Sequence, residues 1–206
     1  MIKAILFDMD GVLIDAKEWH YEALNEILDL FGMAIDRDAH LSTYDGLPTR
    51  RKLQMLTEAR GFPVGLHGLV NTLKQGRTAE IAMRRCRPVF HHLFALSQLK
   101  QEGMKLAVCS NSVRQSVELM MNLAGLSPYL DLIVSNEDVA QAKPNPEMYV
   151  KAMNELGVSP SETLILEDND HGIAAARASG AHVMIVGTPS DVRLERIKET
   201  VSGLAA

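Results

Sequence analysis

The sequence predicts an α/β chain: a parallel sheet between layers of helices, with a helical segment inserted after the first strand. Three observations carry this. Short apolar runs alternate with amphipathic helical patterns through the second half of the chain, the signature of strand–helix–strand crossovers. About 100 residues separate the first run from the second, far more than one crossover needs. Finally, residues capable of chemistry follow the apolar runs directly, as they do where ligands bind at strand carboxyl ends.

The first run, Ile2–Phe7, is a short strand buried on both faces, ending in "FDMDG". Asp8 and Asp10 stand at its carboxyl end and Gly11 follows, suited to a sharp departure of the backbone. Residues 16–86 show helical patterns and no strand; they are expected to form a small helical cap, with 1–15 and 87–206 as the core. In its first helix His20, Leu24, Ile27, Leu28 and Phe31 share one face, and Gly32 ends it. Pro63 and the glycines between 61 and 76 are expected to divide the rest into separate helices. Further strands are expected at Leu106–Cys109, Leu132–Val134, Thr163–Leu166 and Val183–Val186, with helices over 113–124, 146–156 and 171–179.

Composition narrows the function. The 206 residues carry a formal charge of −5, which argues against a sequence-independent nucleic-acid binder. No apolar run approaches the roughly 20 residues that span a bilayer. The N-terminus reads as a strand rather than an export signal. Cys86 and Cys109 lack metal-type spacing, and with no export signal they suit a reducing cytoplasm. The partner expected is a small molecule, and a monomer is compatible with all of this.

The strand ends supply a coherent set of groups. "CSNS" presents Ser110 and Asn111, "AKPNP" presents Lys143, and "LEDND" presents Glu167 and Asp168. Oxygen donors without His or Cys suit a hard cation, Mg²⁺ above all. A serine hydroxyl and a lysine ammonium suit a phosphate. A phosphate dianion is repelled by bare carboxylates, and Mg²⁺ with Lys143 offsets that repulsion. One aspartate can then attack phosphorus, while the second, pointing the same way two residues on, handles the leaving-group proton.

"FDMDGVLID", "VCSNS", "KPNPEMY" and "LEDNDHGIAAARASG" together resemble the four ordered motifs of the haloacid dehalogenase superfamily. The likeness is greatest to its phosphatase and β-phosphoglucomutase-like branch, with a Rossmann-like three-layer core and an α-helical cap. That resemblance implies Asp8 as nucleophile through a phosphoaspartate and Asp10 as general acid and base. It implies Ser110, Asn111 and Lys143 on the transferring phosphoryl group. It also implies Mg²⁺ on the Asp8 side chain, the Asp10 carbonyl and Asp168, with Glu167 on the ion or just behind it. "DAKEWHYEAL" and "YDGLPTRRKL" resemble the cap, where His20 and Gly46 match; Ala16 stands where a Ser or Thr is usual.

Arg50, Arg51 and Arg114 are candidates for gripping a second anionic group of the substrate. His20 serves either packing or function. His91 and His92 are expected to be solvated, and Asp170 to cap the helix at 171–179. The leading expectation is a Mg²⁺-dependent phosphatase acting on a small phosphorylated metabolite, such as a sugar phosphate. A phosphomutase shares every core residue. A non-enzymatic phospho-accepting signalling domain is the third reading, disfavoured by the chain's length and its helical insert.

Overall fold

The computed structural model of the chain describes residues 1–204. It divides into two compact units: Met1–Asp15 with the chain from Cys86 onward, and Ala16–Arg85. Cys86 lies with the first unit, one residue from the expected boundary. The cause is local: its buried thiol donates to the carbonyl of Met120 at 3.7 Å.

The first unit holds β1 (Ala4–Phe7), β2 (Lys105–Cys109), β3 (Leu132–Val134), β4 (Thr163–Glu167) and β5 (His182–Ile185), all parallel, in the order β3-β2-β1-β4-β5. In chain order the longer helices of the molecule are α1 (Lys17–Asp29), α2 (Thr49–Arg60), α3 (His67–Arg85), α4 (Phe90–Gln101), α5 (Arg114–Leu123), α6 (Glu147–Leu156), α7 (Asp170–Ala178) and α8 (Leu194–Gly203). The first three belong to the second unit.

β1 is central because every residue in it is buried, which only a strand with neighbours and helices on all sides can satisfy. It pairs with β2 from Ala4 opposite Lys105 and with β4 from Ala4 opposite Thr163. The chain winds outward from β1 through β2 to β3, then crosses to β4 on the other side. That reversal opens a crevice beyond the carboxyl ends of the strands, the place where such sheets bind ligands. Beneath it lies a core of Leu6, Ala107, Tyr149, Met153 and Ile165.

The second unit is helical throughout its regular structure. Leu24, Leu28, Leu53, Leu56, Phe62 and Val70 form its core, with Ile27 and Phe31 packed against them. Gly61 ends α2 in the left-handed region at φ 68°. The glycines beyond it do not all break the chain: Gly68 and Gly76 lie inside the continuous α3, whose buried residues recur from Val70 to Ala82. Tertiary packing there outweighs about 1 kcal/mol of glycine penalty per position.

Candidate active site

β1 ends at Phe7, and the backbone N–H of Asp8 still donates to Leu166 O at 3.0 Å, so Asp8 is fixed by the neighbouring strand. The chain then folds back on itself. Leu13 and Ile14 both donate to Met9 O, at 3.0 and 2.9 Å, and Gly11 at φ 92° donates to Ile14 O. This tight loop places Asp10 three residues beyond the strand.

Lys143 joins the motifs. It is 3% exposed, and its ammonium donates to Asp8 Oδ1 at 2.7 Å, Glu167 Oε1 at 2.7 Å and Cys109 O at 2.8 Å. Three strand ends therefore converge on one cation. Glu167 has no exposed surface, and its oxygens also accept from the Tyr149 hydroxyl and from the Asp168 N–H. The first turn of α7 packs directly on this carboxylate: a Cβ on Gly172 would lie 2.0 Å from Glu167 Oε1. Ser110 is buried, and its Oγ accepts from Ser112 N at 3.1 Å. The hydroxyl of Ser112 donates to Asp10 Oδ2 at 3.1 Å.

Electrostatics follow from this burial. Desolvation pushes the Asp8 carboxyl well above its usual range; Lys143 opposes the shift, while Glu167, Asp10 and Asp168 add to it. Burial alone would lower Lys143, but Asp8 and Glu167 hold it above its ordinary value. The cluster carries more negative charge than one lysine can balance. A divalent cation is the natural complement, and the donor set suits one: carboxylate oxygens of Asp8, Glu167 and Asp168 lie within 4.8 Å of one another.

Some residues hold positions other than those expected. The side-chain amide of Asn111 is engaged with the main chain of Lys143, accepting from its N–H at 3.0 Å and donating to its carbonyl at 3.3 Å. Asn111 thus positions the lysine loop. Arg114 is tied to Asp138 at 2.6 Å, to Ile133 O at 3.2 Å and to Glu118 at 3.4 Å, all on the β3 side of the sheet. The cap of α7 is Asn169, whose side chain accepts from Gly172 N at 3.0 Å; Asp170 is already helical. His92 is buried rather than solvated, its Nε2 donating to Pro189 O at 2.8 Å.

In the second unit Arg50 and Arg51 are exposed, and Arg51 lies 3.7 Å from Glu58. The buried cations there are Lys52 and Lys74, which sequence reasoning missed because a lone lysine on a helix reads as surface. Lys74 Nζ lies 3.0 Å from His20 Nδ1. An ammonium only donates, so this contact places the His20 proton on Nε2. Gly46 takes φ 71°, a conformation in which a side chain is strained.

A doubly wound parallel sheet with carboxylates, a lysine and a serine gathered at its strand ends is equipped for phosphoryl transfer. Comparison with known proteins gives the same answer. Residues 5–186 match the family described as haloacid dehalogenase-like hydrolase, and the chain belongs to that family. A "phosphorylated carbohydrates phosphatase" of Thermotoga maritima is 27% identical over 87% of this chain and 82% of its own length. The "fructose-1-phosphate phosphatase YqaB" of Escherichia coli K12 is 28% identical over 92% of this chain and 96% of its own. The fold is shared with a β-phosphoglucomutase from Clostridium difficile, at TM-score 0.86 and 21% identity, covering 100% of this chain and 99% of that one.

Proposed function

We propose that this enzyme hydrolyses a small phosphorylated carbohydrate through a phosphoaspartate formed on Asp8. The observation that carries the reading is the buried ammonium of Lys143 held between Asp8 and Glu167 at the mouth of the sheet. No purely structural need accounts for three ionised groups there, since desolvating them costs several kcal/mol each.

Lys143 fixes one oxygen of Asp8 and leaves the carboxylate a single approach to phosphorus. The other Asp8 oxygen attacks, the P–O bond to the sugar breaks, and Asp10 gives its proton to the departing alkoxide. Asp10, now ionised, takes a proton from water as that water attacks the phosphoaspartate. Inorganic phosphate leaves and Asp8 is restored. Ser110 donates to the phosphoryl oxygens, and Lys143, whose three N–H groups are engaged by Asp8, Glu167 and Cys109 O, stabilises their charge through its own. Asp8, Asp168 and the Asp10 carbonyl would hold Mg²⁺, with Glu167 retained by Lys143 and Tyr149 beside them. When bound, that ion neutralises the cluster and polarises the phosphoryl group.

Specificity is assigned to the helical unit, as the cap resemblance of its sequence implies, with His20, Gly46, Arg50 and Arg51 as its candidates. The two buried free cysteines are consistent with a reducing cytoplasm. Among the described residues no helix is long and apolar enough to cross a membrane.

The test is phosphate release from a panel of sugar phosphates, with isomer exchange followed in parallel. Mg²⁺-dependent phosphate release that outruns any isomer is expected. Isomer forming first would promote the phosphomutase alternative, and full turnover in excess chelator would overturn the metal assignment.

A further inference from the structure

Asp10 must present its proton to the leaving oxygen in one orientation, yet a carboxylic acid has two oxygens. The structure distinguishes them. Ser112 Oγ donates to Asp10 Oδ2 at 3.1 Å across 102 residues of sequence. Ser112 itself is pinned through its main chain: its N–H donates to Ser110 Oγ at 3.1 Å and its carbonyl accepts from Asn136 N at 3.2 Å. The main chain that carries the hydroxyl is therefore held at both its N–H and its carbonyl.

We propose that Ser112 is a positioning residue for the general acid, acting through Asp10 and resting on the phosphatase reading above. By occupying Oδ2 with a donated hydrogen, Ser112 makes that oxygen the acceptor and leaves the acidic proton to Oδ1. It also restrains rotation of the carboxyl group about its own bond. In the first half-reaction the Oδ1 proton passes to the ester oxygen as the P–O bond breaks, and the negative charge left on Asp10 is shared with the Ser112 hydroxyl. In the second, Oδ1 takes a proton from water as phosphate is released. Ser110 and Ser112 thus divide the work of one loop, the first on phosphate and the second on proton transfer.

Leaving-group dependence separates this from a structural role. An alkyl phosphate expels a strongly basic alkoxide and needs the acid. An aryl phosphate such as p-nitrophenyl phosphate expels a weakly basic phenolate and hardly needs it. kcat/KM reports the half-reaction up to alcohol release, so it isolates that step. Ser112→Ala should lose about 10-fold or more in kcat/KM on fructose 1-phosphate, a fraction of the 100- to 10,000-fold typical of general acid catalysis. On p-nitrophenyl phosphate the loss should stay within about 3-fold. Ser112→Thr, which keeps the hydroxyl, should restore most of the alkyl activity. Equal losses on both esters, no loss on either, or a rise confined to KM would overturn the proposal. If Ser112→Ala does not fold, Ser112→Thr and Ser112→Cys carry the same comparison, the weak thiol donor standing for loss of the hydroxyl. Failure of the unaltered enzyme to cleave either ester would instead overturn the phosphatase reading, and this proposal with it.

Discussion

Lys143 shows how much one side chain organises. Its three hydrogen bonds tie β1, β2 and β4 to a common point, and its ammonium sits 4.8 Å from the centre of the Tyr149 ring. Tyr149→Phe keeps the packing and removes only the hydroxyl bound to Glu167. A hydrogen bond to a charged group contributes about 1.5–3 kcal/mol, so a lower melting temperature is expected, together with a several-fold loss of turnover as Glu167 and Lys143 loosen. A variant equal to the parent in both would show that the hydroxyl contributes nothing. Asp8→Asn should abolish phosphate release while leaving the metal-free protein as stable as before or more so, because it removes a buried charge from an acidic cluster. Residual turnover above about 0.1% would exclude Asp8 as nucleophile. The carboxylates of the site were legible because they stand at or just after the end of an apolar run, and Lys143, well beyond the end of β3, because it opens the "KPNPEMY" motif. Tyr149 and Ser112 were not: one lies inside a helix, the other reaches a partner 102 residues away, and no local pattern encodes such a meeting.

Elements position these residues through close contact as much as through topology. α7 begins at Asp170, and its third residue must be glycine for Glu167 to sit where it does, since an added Cβ would come within 2.0 Å of the carboxylate. Neither backbone nor Glu167 is free to move aside, because Asn169 caps the helix and Lys143 and Tyr149 hold the carboxylate. Gly172→Ala should therefore lower stability by about 1–3 kcal/mol through overpacking and depress turnover further by displacing Lys143. A neutral effect on both, by denaturation and phosphate release, would show that α7 can shift without cost. The strands were readable to within two residues because burial on both faces leaves apolar runs. The ends of helices were harder. Asn169 and Asp170 are both good caps, and only the hydrogen bond to Gly172 N chooses between them. His92 was misread as solvated because its partner, Pro189 O, arrives from a loop 97 residues away.

Across the whole molecule the two units differ in charge. Of the 21 Lys and Arg and 26 Asp and Glu, ten and nine fall within 16–85, so the second unit is net positive by one and the whole negative excess lies in the first. Stability of the molecule responds to cations and to protons in opposite ways. A divalent ion that binds only the folded site raises the melting temperature by mass action. Acid does the reverse. Burial and the nearby Lys52 bring His40 down to about 4, against an unfolded value near 6.5, and burial likewise depresses His92. Below pH ~6.5 the unfolded chain takes up protons that these folded histidines refuse, so stability falls as pH drops toward 4. Burial alone would raise Asp138, yet Arg114 and Ser135 bring it down to about 2. Its contribution is present above pH ~4 and is lost as pH falls toward 2. Asp8, raised by burial, has the opposite sign: its charge costs stability at neutral pH, and protonation relieves that cost. With a divalent ion bound as proposed, this opposing effect would be suppressed, and the histidines would dominate the range from 6.5 down to 4. The melting temperature should then fall steadily across that range, and His92→Gln, whose amide can still donate to Pro189 O, should flatten the slope. An unchanged slope in His92→Gln would mean that His92 is already protonated in the fold, and would remove it as a source of acid sensitivity.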